Sequence, residues 1–155
     1  MKLKEALFSP FEEVRGGFFT IFTCMNFRYS KKEKLKSKKL IEKLFVEGKS
    51  VSKFPLKLFY LPILFEEDVK IKAAVSVSKR NFKTAPKRNL VKRLLRETYR
   101  LNKHLVTENI NGQYAFIFLY LSKDKPVFHL LEKKMQHLLN DFVKQTNPLK
   151  SDESN

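Results

Sequence analysis

Over residues 88–105, turning about 100° per residue separates charged from apolar positions. With Arg88 as origin, Lys92, Lys103, Arg96, Asn89, Arg100 and Arg93 fall in a sector of roughly 0° to 140°. Leu90, Leu101, Leu94, Leu105, Thr98, Val91 and Leu95 fall between roughly 200° and 340°, with Tyr99 at the boundary. The pattern predicts a helix entered near Pro86, whose fixed φ suits a first turn. One half of it packs on a core and the other half is cationic. The helical region runs to about Glu108, and Asn111-Gly112 signals a turn.

The rest of the chain reads as alternating short elements. Ser30, with Glu33 three residues on, has the form of a capping box. Leu35, Leu40, Ile41, Leu44 and Phe45 form an apolar stripe that predicts a first helix from about Lys36 to Glu47, stopped by Gly48. Lys53 to Pro62 alternates, with Phe54, Leu56, Leu58 and Tyr60 opposite Lys53, Lys57, Phe59 and Leu61. Val69 to Ser78 reads as a second strand, Ala73, Val75 and Val77 on one face and Ala74, Ser76 and Ser78 on the other. The short connection between them predicts an antiparallel hairpin. Gln113 to Leu121 is nearly continuously apolar, the mark of a buried central strand. Lys125-Pro126 opens a last helix carrying Val127, Leu130, Leu131, Lys134, Met135, Leu138, Leu139 and Phe142 at helical spacing. The order α-β-β-α-β-α predicts an α+β domain with helices on a small central sheet.

Residues 1–24 do not share these patterns. Gly16 to Thr23 shows neither helical period nor alternation, and the segment is read as a poorly ordered extension, with Met25 as a possible physiological start. The apolar run from Phe18 to Met25 is too short to span a bilayer and lacks a basic leader and a small-residue cleavage site. The folded domain is assigned to residues 25–148, and 149–155 to a polar tail. Cys24 is the only cysteine, so one chain can form neither a disulfide framework nor a cysteine zinc site, which fits a cytoplasmic protein.

Charge sharpens the picture. The 155 residues carry 32 Lys and Arg against 16 Asp and Glu, a net charge of +16 with neutral histidines. That imbalance points to nucleic acid or an anionic surface as partner. Ten of the cations lie between Lys79 and Lys103, with Glu97 as the single acid. A solvated helix face normally mixes signs, because opposite charges at i,i+4 support the helix. Arg88, Lys92 and Arg96 repeat like charge at that spacing, a local conflict that proteins tolerate mostly at functional sites. A second basic cluster, with six lysines and one glutamate, spans Lys31 to Lys39. His104, His129 and His137 are scattered, with only a weak His137–Asp141 spacing, so neither a protein-borne catalytic centre nor a metal cage is visible.

Arg88-Asn89-x-x-Lys92-Arg93-x-x-Arg96, following a strand that ends Ser76-Val77-Ser78-Lys79 and a basic loop, closely resembles the protein subunit of bacterial ribonuclease P. Leu44-Phe45-x-x-Gly48-x-Ser50 is similar to that family's helix-to-strand junction. The resemblance covers about residues 30–145. Three features depart from the family pattern: Leu90 where a third basic residue is common, a slightly long loop between Lys79 and Arg88 without the usual glycine, and Ile41 where Phe is frequent. The resemblance implies a left-handed βαβ crossover, an exception to the usual hand. It also implies a ribonucleoprotein that removes the 5′ leader of precursor tRNA, with the hydrolytic centre and its Mg2+ on the RNA.

Under that resemblance the helix face of Arg88, Asn89, Lys92, Arg93, Arg96 and Arg100 touches the catalytic RNA, since arginine forks hold phosphate oxygens bidentately. Lys79, Arg80, Lys83 and Lys87, just before the helix, are further clamps. The single-stranded leader needs apolar platforms flanked by charge. Ile41, Phe45 and either Phe59 or Tyr60 are the candidates, with Ser76 and Ser78 as polar neighbours. The expected assembly is one monomeric protein per RNA, with no membrane. Competing readings are a ribosomal or assembly protein with the same basic face, a self-sufficient nuclease, and an anionic-membrane binder. The last needs large apolar residues exposed beside the cations, whereas Leu90, Leu94 and Leu101 are expected in the core.

Overall fold

The computed structural model describes residues 28–147. The extension, Cys24, the Met25 start and the tail lie outside these residues. In chain order the elements are α1 (Lys38–Glu47), β1 (Lys49–Lys53), β2 (Leu56–Pro62), β3 (Ile71–Val77), α2 (Ala85–Asn102), the single turn α3 (His104–Thr107), β4 (Tyr114–Tyr120) and α4 (Phe128–Thr146). The four strands form one mixed sheet in the order β1-β2-β4-β3. β2 is antiparallel to both β1 and β4, and β3 runs parallel to β4.

This order corrects the expected hairpin between Lys53–Pro62 and Val69–Ser78. β2 and β3 do not pair, because β4 lies between them. The physical reason is burial: Ala115, Phe116, Ile117 and Phe118 are all enclosed, so β4 needs a layer on both faces and takes a central place. The connection from β3 through α2 to β4 is the β-α-β unit that parallel pairing requires. The expected single strand from Lys53 is instead two strands with a turn at Phe54-Pro55, whose peptide is cis. β1 has one inward residue, Val51, too little alternation to read from sequence.

Alternation places Leu56, Leu58 and Tyr60 with Ile71, Ala73, Val77, Phe116, Phe118 and Tyr120 on one face of the sheet, against Val91, Leu95 and Tyr99 of α2 and Leu131, Met135, Leu138, Leu139 and Phe142 of α4. Phe116, Phe118 and Phe142 are completely buried, each contributing about 2–3 kcal/mol relative to exposure. The Phe142 ring stands edge-on to Phe116 and to Tyr60, each at 4.8 Å between centroids. The other face carries Ala115 and Ile117 against Leu35 and Leu44, with Ile41, Phe59, Leu61 and Leu119 partly covered. The result is three layers: α1, the sheet, then α2 with α4.

Ser30 and Glu33 do not start the first helix. The Glu33 carboxylate accepts from the Ser30 N–H at 2.6 Å, but the chain then extends so that Leu35 N–H donates to Ala73 O and Ala73 N–H donates to Glu33 O. Pairing with the edge of β3 wins over helix there, and Ser37 becomes the N-cap, accepting from Leu40 N–H at 3.4 Å. Gly48 ends α1 as expected. A Cβ at this position would stand 2.2 Å from Leu44 O and 3.2 Å from Tyr60 O, so only glycine lets the helix end this close to β2.

Burial also acts on two phenols at the α2 end of the core. Tyr29 is pushed from 10.0 up to about 12 by desolvation, with Glu33 adding to the rise and Arg96 opposing it. Tyr99 is likewise raised well above its ordinary value, by burial first and then by Tyr29 and Glu33. Both folded values exceed the unfolded one, so the fold holds the neutral phenols. Their contribution to stability is complete below about pH 10 and is lost as pH rises through the folded values. Chemical denaturation followed by circular dichroism from pH 8 to 12 should show that loss beginning near pH 10, in step with tyrosinate absorbance. Tyrosinate formation by both residues near pH 10 with stability unchanged would contradict it.

Candidate nucleic-acid interface

The loop between β3 and α2 is built from the inside out. Phe82 is buried, its ring 6.0 Å from that of Tyr120. The Asn81 side-chain amide donates to Leu121 O at 3.0 Å. Arg88 turns back from α2 and donates to Phe82 O at 2.9 Å and Lys83 O at 2.8 Å. Arg88 therefore shapes the loop, a task distinct from the outward-facing role expected of it. With these inward groups satisfied, Lys79, Arg80, Lys83 and Lys87 are all exposed.

On α2 itself Asn89, Arg93 and Arg96 are exposed, while Lys92 and Arg100 are half-buried. Arg100 bridges to Glu97 at 2.9 Å. No acidic residue occupies the first turn of α2, so the helix dipole adds to the positive field there. The apolar sector differs from the wheel at its margins. Tyr99 and Asn102 are buried and Leu90 is exposed, contrary to the expectation that Leu90 serves the core. Lys103, in the cationic sector by angle, is only 5% exposed. Its ammonium donates to Glu33 Oε1 at 2.7 Å and to the Arg28 carbonyl.

That tether brings a second segment beside the helix. Arg28, Tyr29, Lys34, Arg93, Arg96, Glu97 and Arg100 line one cleft of about 580 Å³. Arg28 and Lys34 were not among the expected site residues. The signal for Lys34 was present in the lysine cluster from Lys31 to Lys39, but its nearness to α2 depends on the long-range contacts of Lys103 and Tyr29.

The expected leader groove is partly assembled. Ile41 and Phe59 share the α1-side cluster. Phe45 is 46% exposed and its ring lies 5.3 Å from that of Phe59. Lys57 Nζ stands 4.9 Å from the Phe59 centroid, a cation beside an aromatic platform that sequence reasoning had left out. Ser76 is half-buried and pairs in register with Leu119 of that same cluster. Tyr60 is a correction: strand alternation turns it to the opposite face, where its hydroxyl donates to Gln145 Oε1 at 3.1 Å. Between the two strand aromatics proposed, Phe59 is the one beside Phe45. Ser78, past the end of β3, accepts from the Arg80 N–H at 3.1 Å and belongs to the loop.

His129 and His137 are exposed, and Asp141, the spacing partner of His137, binds Lys53 at 3.1 Å. Among the described residues no group of three or more His, Cys, Asp or Glu is placed to hold a metal ion. No helix among them is long and apolar enough to cross a membrane.

These features define a small, basic α+β protein with its cations concentrated on one helix and the loop before it. The family model for ribonuclease P matches residues 29–143. The ribonuclease P protein component of Porphyromonas gingivalis is 40% identical over 116 residues, covering 73% of this chain and 85% of that protein. The corresponding protein of Chlorobium phaeobacteroides is 34% identical over 126 residues, with 72% and 85% covered. The fold is that of the ribonuclease P proteins of Staphylococcus aureus (TM-score 0.58, 20% identity, 74% of this chain and 98% of that one) and Thermotoga maritima (TM-score 0.57, 21% identity, 70% and 96%). The chain belongs to the ribonuclease P protein family. It is a subunit of ribonuclease P, acts in tRNA processing, and has the ribonuclease P RNA subunit as its partner.

Proposed function

We propose that Arg93 and Arg96, with Asn89, Lys92, Arg100 and the loop cations Lys79, Arg80, Lys83 and Lys87, bind the catalytic RNA, and that Ile41, Phe45 and Phe59 receive the 5′ leader of precursor tRNA. The observation that carries this is the gathering of exposed cations on one helix face and loop with Glu97 as their single acid. Lysine and arginine there neutralise phosphates and release counterions. One protein monomer joins one RNA, in the cytoplasm. The Mg2+ ions and the hydrolytic centre sit on the RNA, since a face this positive repels a divalent cation and attracts the polyanion that holds it. The protein screens backbone repulsion and positions the leader.

Cleavage of precursor tRNA at near-physiological magnesium tests the assignment, comparing protein alone, RNA subunit alone and the two together. Efficient cleavage is expected only from the mixture. Cleavage by protein alone would put a catalytic centre on this chain, and absence of stimulation would move it to an assembly role. The leader site has its own measurement. Phe45→Ala should weaken affinity of the assembled enzyme for leader-bearing precursor by about fivefold, the low end of base–aromatic stacking, with little change for mature tRNA. Equal losses for both RNAs would trace the effect to the fold.

A further inference from the structure

One end of the molecule carries an apolar surface that neither proposed RNA site uses. Val127, the N-cap of α4, and Leu130, in its first turn, are 62% and 57% exposed. Beside them Phe54, at the tip of the β1–β2 hairpin, is 68% exposed. With Pro55, Pro126 and Lys134 these side chains line a cleft of about 320 Å³. Lys125 lines it too, and also lines a neighbouring cleft of about 570 Å³ with Lys123, Lys83, Lys87 and Leu90. The two clefts form one track. Leu121 N–H donates to Pro55 O at 2.8 Å, and Leu121 O accepts from Asn81, so the hairpin tip, the end of β4 and the basic loop are joined.

We propose that this track is a further RNA contact that takes an unpaired stretch of the ribonuclease P RNA subunit, with bases on Phe54 and Val127 and phosphates on Lys123, Lys125 and Lys134. The inference rests on the RNA-binding reading of the α2 face. Protruding apolar groups alternating with lysines suit splayed bases and a flexible backbone, whereas a duplex exterior offers those apolar groups nothing to contact. From Leu121 to Lys134 the chain has four lysines and two acids. That excess, with the net charge of +16, opposes pairing with a second copy. The track belongs to the layer of α2 and α4, on the far side of the sheet from Phe45 and Phe59, so the catalytic RNA is its occupant and the leader is not.

The test is filter binding of the full chain to the RNA subunit alone across a salt series. Phe54→Ala should weaken binding about fivefold while Phe54→Tyr, which keeps the ring, stays near the unsubstituted protein. Lys125→Ala with Lys134→Ala should lower the salt slope by about 1.4, at roughly 0.7 per single-strand phosphate. Arg93→Ala is the control. If it weakens binding while the Phe54 and lysine variants match the parent protein, the track proposal fails and the α2 reading stands. If none of the variants changes binding, both fail. Equal losses in Phe54→Ala and Phe54→Tyr would replace stacking with fold damage and overturn the proposal. So would an effect appearing only with leader-bearing precursor, or unchanged RNA affinity with loss of binding to phosphatidylglycerol vesicles.

Discussion

Replacing Arg93 and Arg96 together with alanine is expected to weaken binding to the ribonuclease P RNA subunit by about a hundredfold at fixed salt. Each exposed guanidinium is available for a charge-assisted contact to phosphate, worth about 1.5 kcal/mol net at the low end. Two such losses, taken as additive, give the stated factor, with about 1.4 kcal/mol per tenfold. The plot of log affinity against log salt should flatten by nearly 2, at roughly 0.9 per phosphate on a duplex. Stability should hardly move, because both side chains point to solvent and neither has a hydrogen bond to the fold that the loop depends on. Arg88→Ala should behave differently: its guanidinium holds the carbonyls of Phe82 and Lys83, so binding and loop order fall together. A double variant with unchanged slope would remove Arg93 and Arg96 from the interface.

Lys103→Met is expected to lower stability by about 3 kcal/mol, the low end for removing one partner of a buried ion pair. The Lys103 side chain is 6% exposed and that of Glu33 21%, so the carboxylate left behind loses its counter-ion where water reaches it poorly. For a domain of this size the melting temperature should drop by about 10 °C. The same change should loosen the segment from Arg28 to Leu35, which is also held by the Tyr29 hydroxyl donating to Ala73 O at 2.6 Å. Adding Glu33→Gln should recover part of the loss, because no unpaired charge then remains. Identical melting of the parent, the single and the double variants would mean that the pair contributes nothing and that other contacts hold the segment.

Much of the fold was legible because helix and strand periods are local. The stripe of α1, its stop at Gly48, the sorted faces of α2 and the apolar run of β4 all follow from spacing along a few turns or strand residues. The basic face was legible for the same reason: one helix and the loop before it carry it, so no distant residue had to be placed. The errors share a different cause. Lys103 has the right angle for the cationic face and is buried, because Glu33, 70 residues away, comes to meet it. Leu90, Val127 and Leu130 count as apolar stripe positions and are exposed, because no element of the described fold covers them.

The amino-acid sequence by itself determined which positions of a helix or strand share a face, that the first helix stops at Gly48, and that the partner is a polyanion. Side-chain period and net charge need no knowledge of what lies opposite. Only the tertiary structure decided that β4 enters between β2 and β3, that Phe59 rather than Tyr60 stands beside Phe45, and that Arg28 and Lys34 join Arg93 and Arg96 around one cleft. Those outcomes depend on which buried surfaces meet across the sheet. That choice is made by the burial of a whole layer at once, and the spacing within any one element does not contain it.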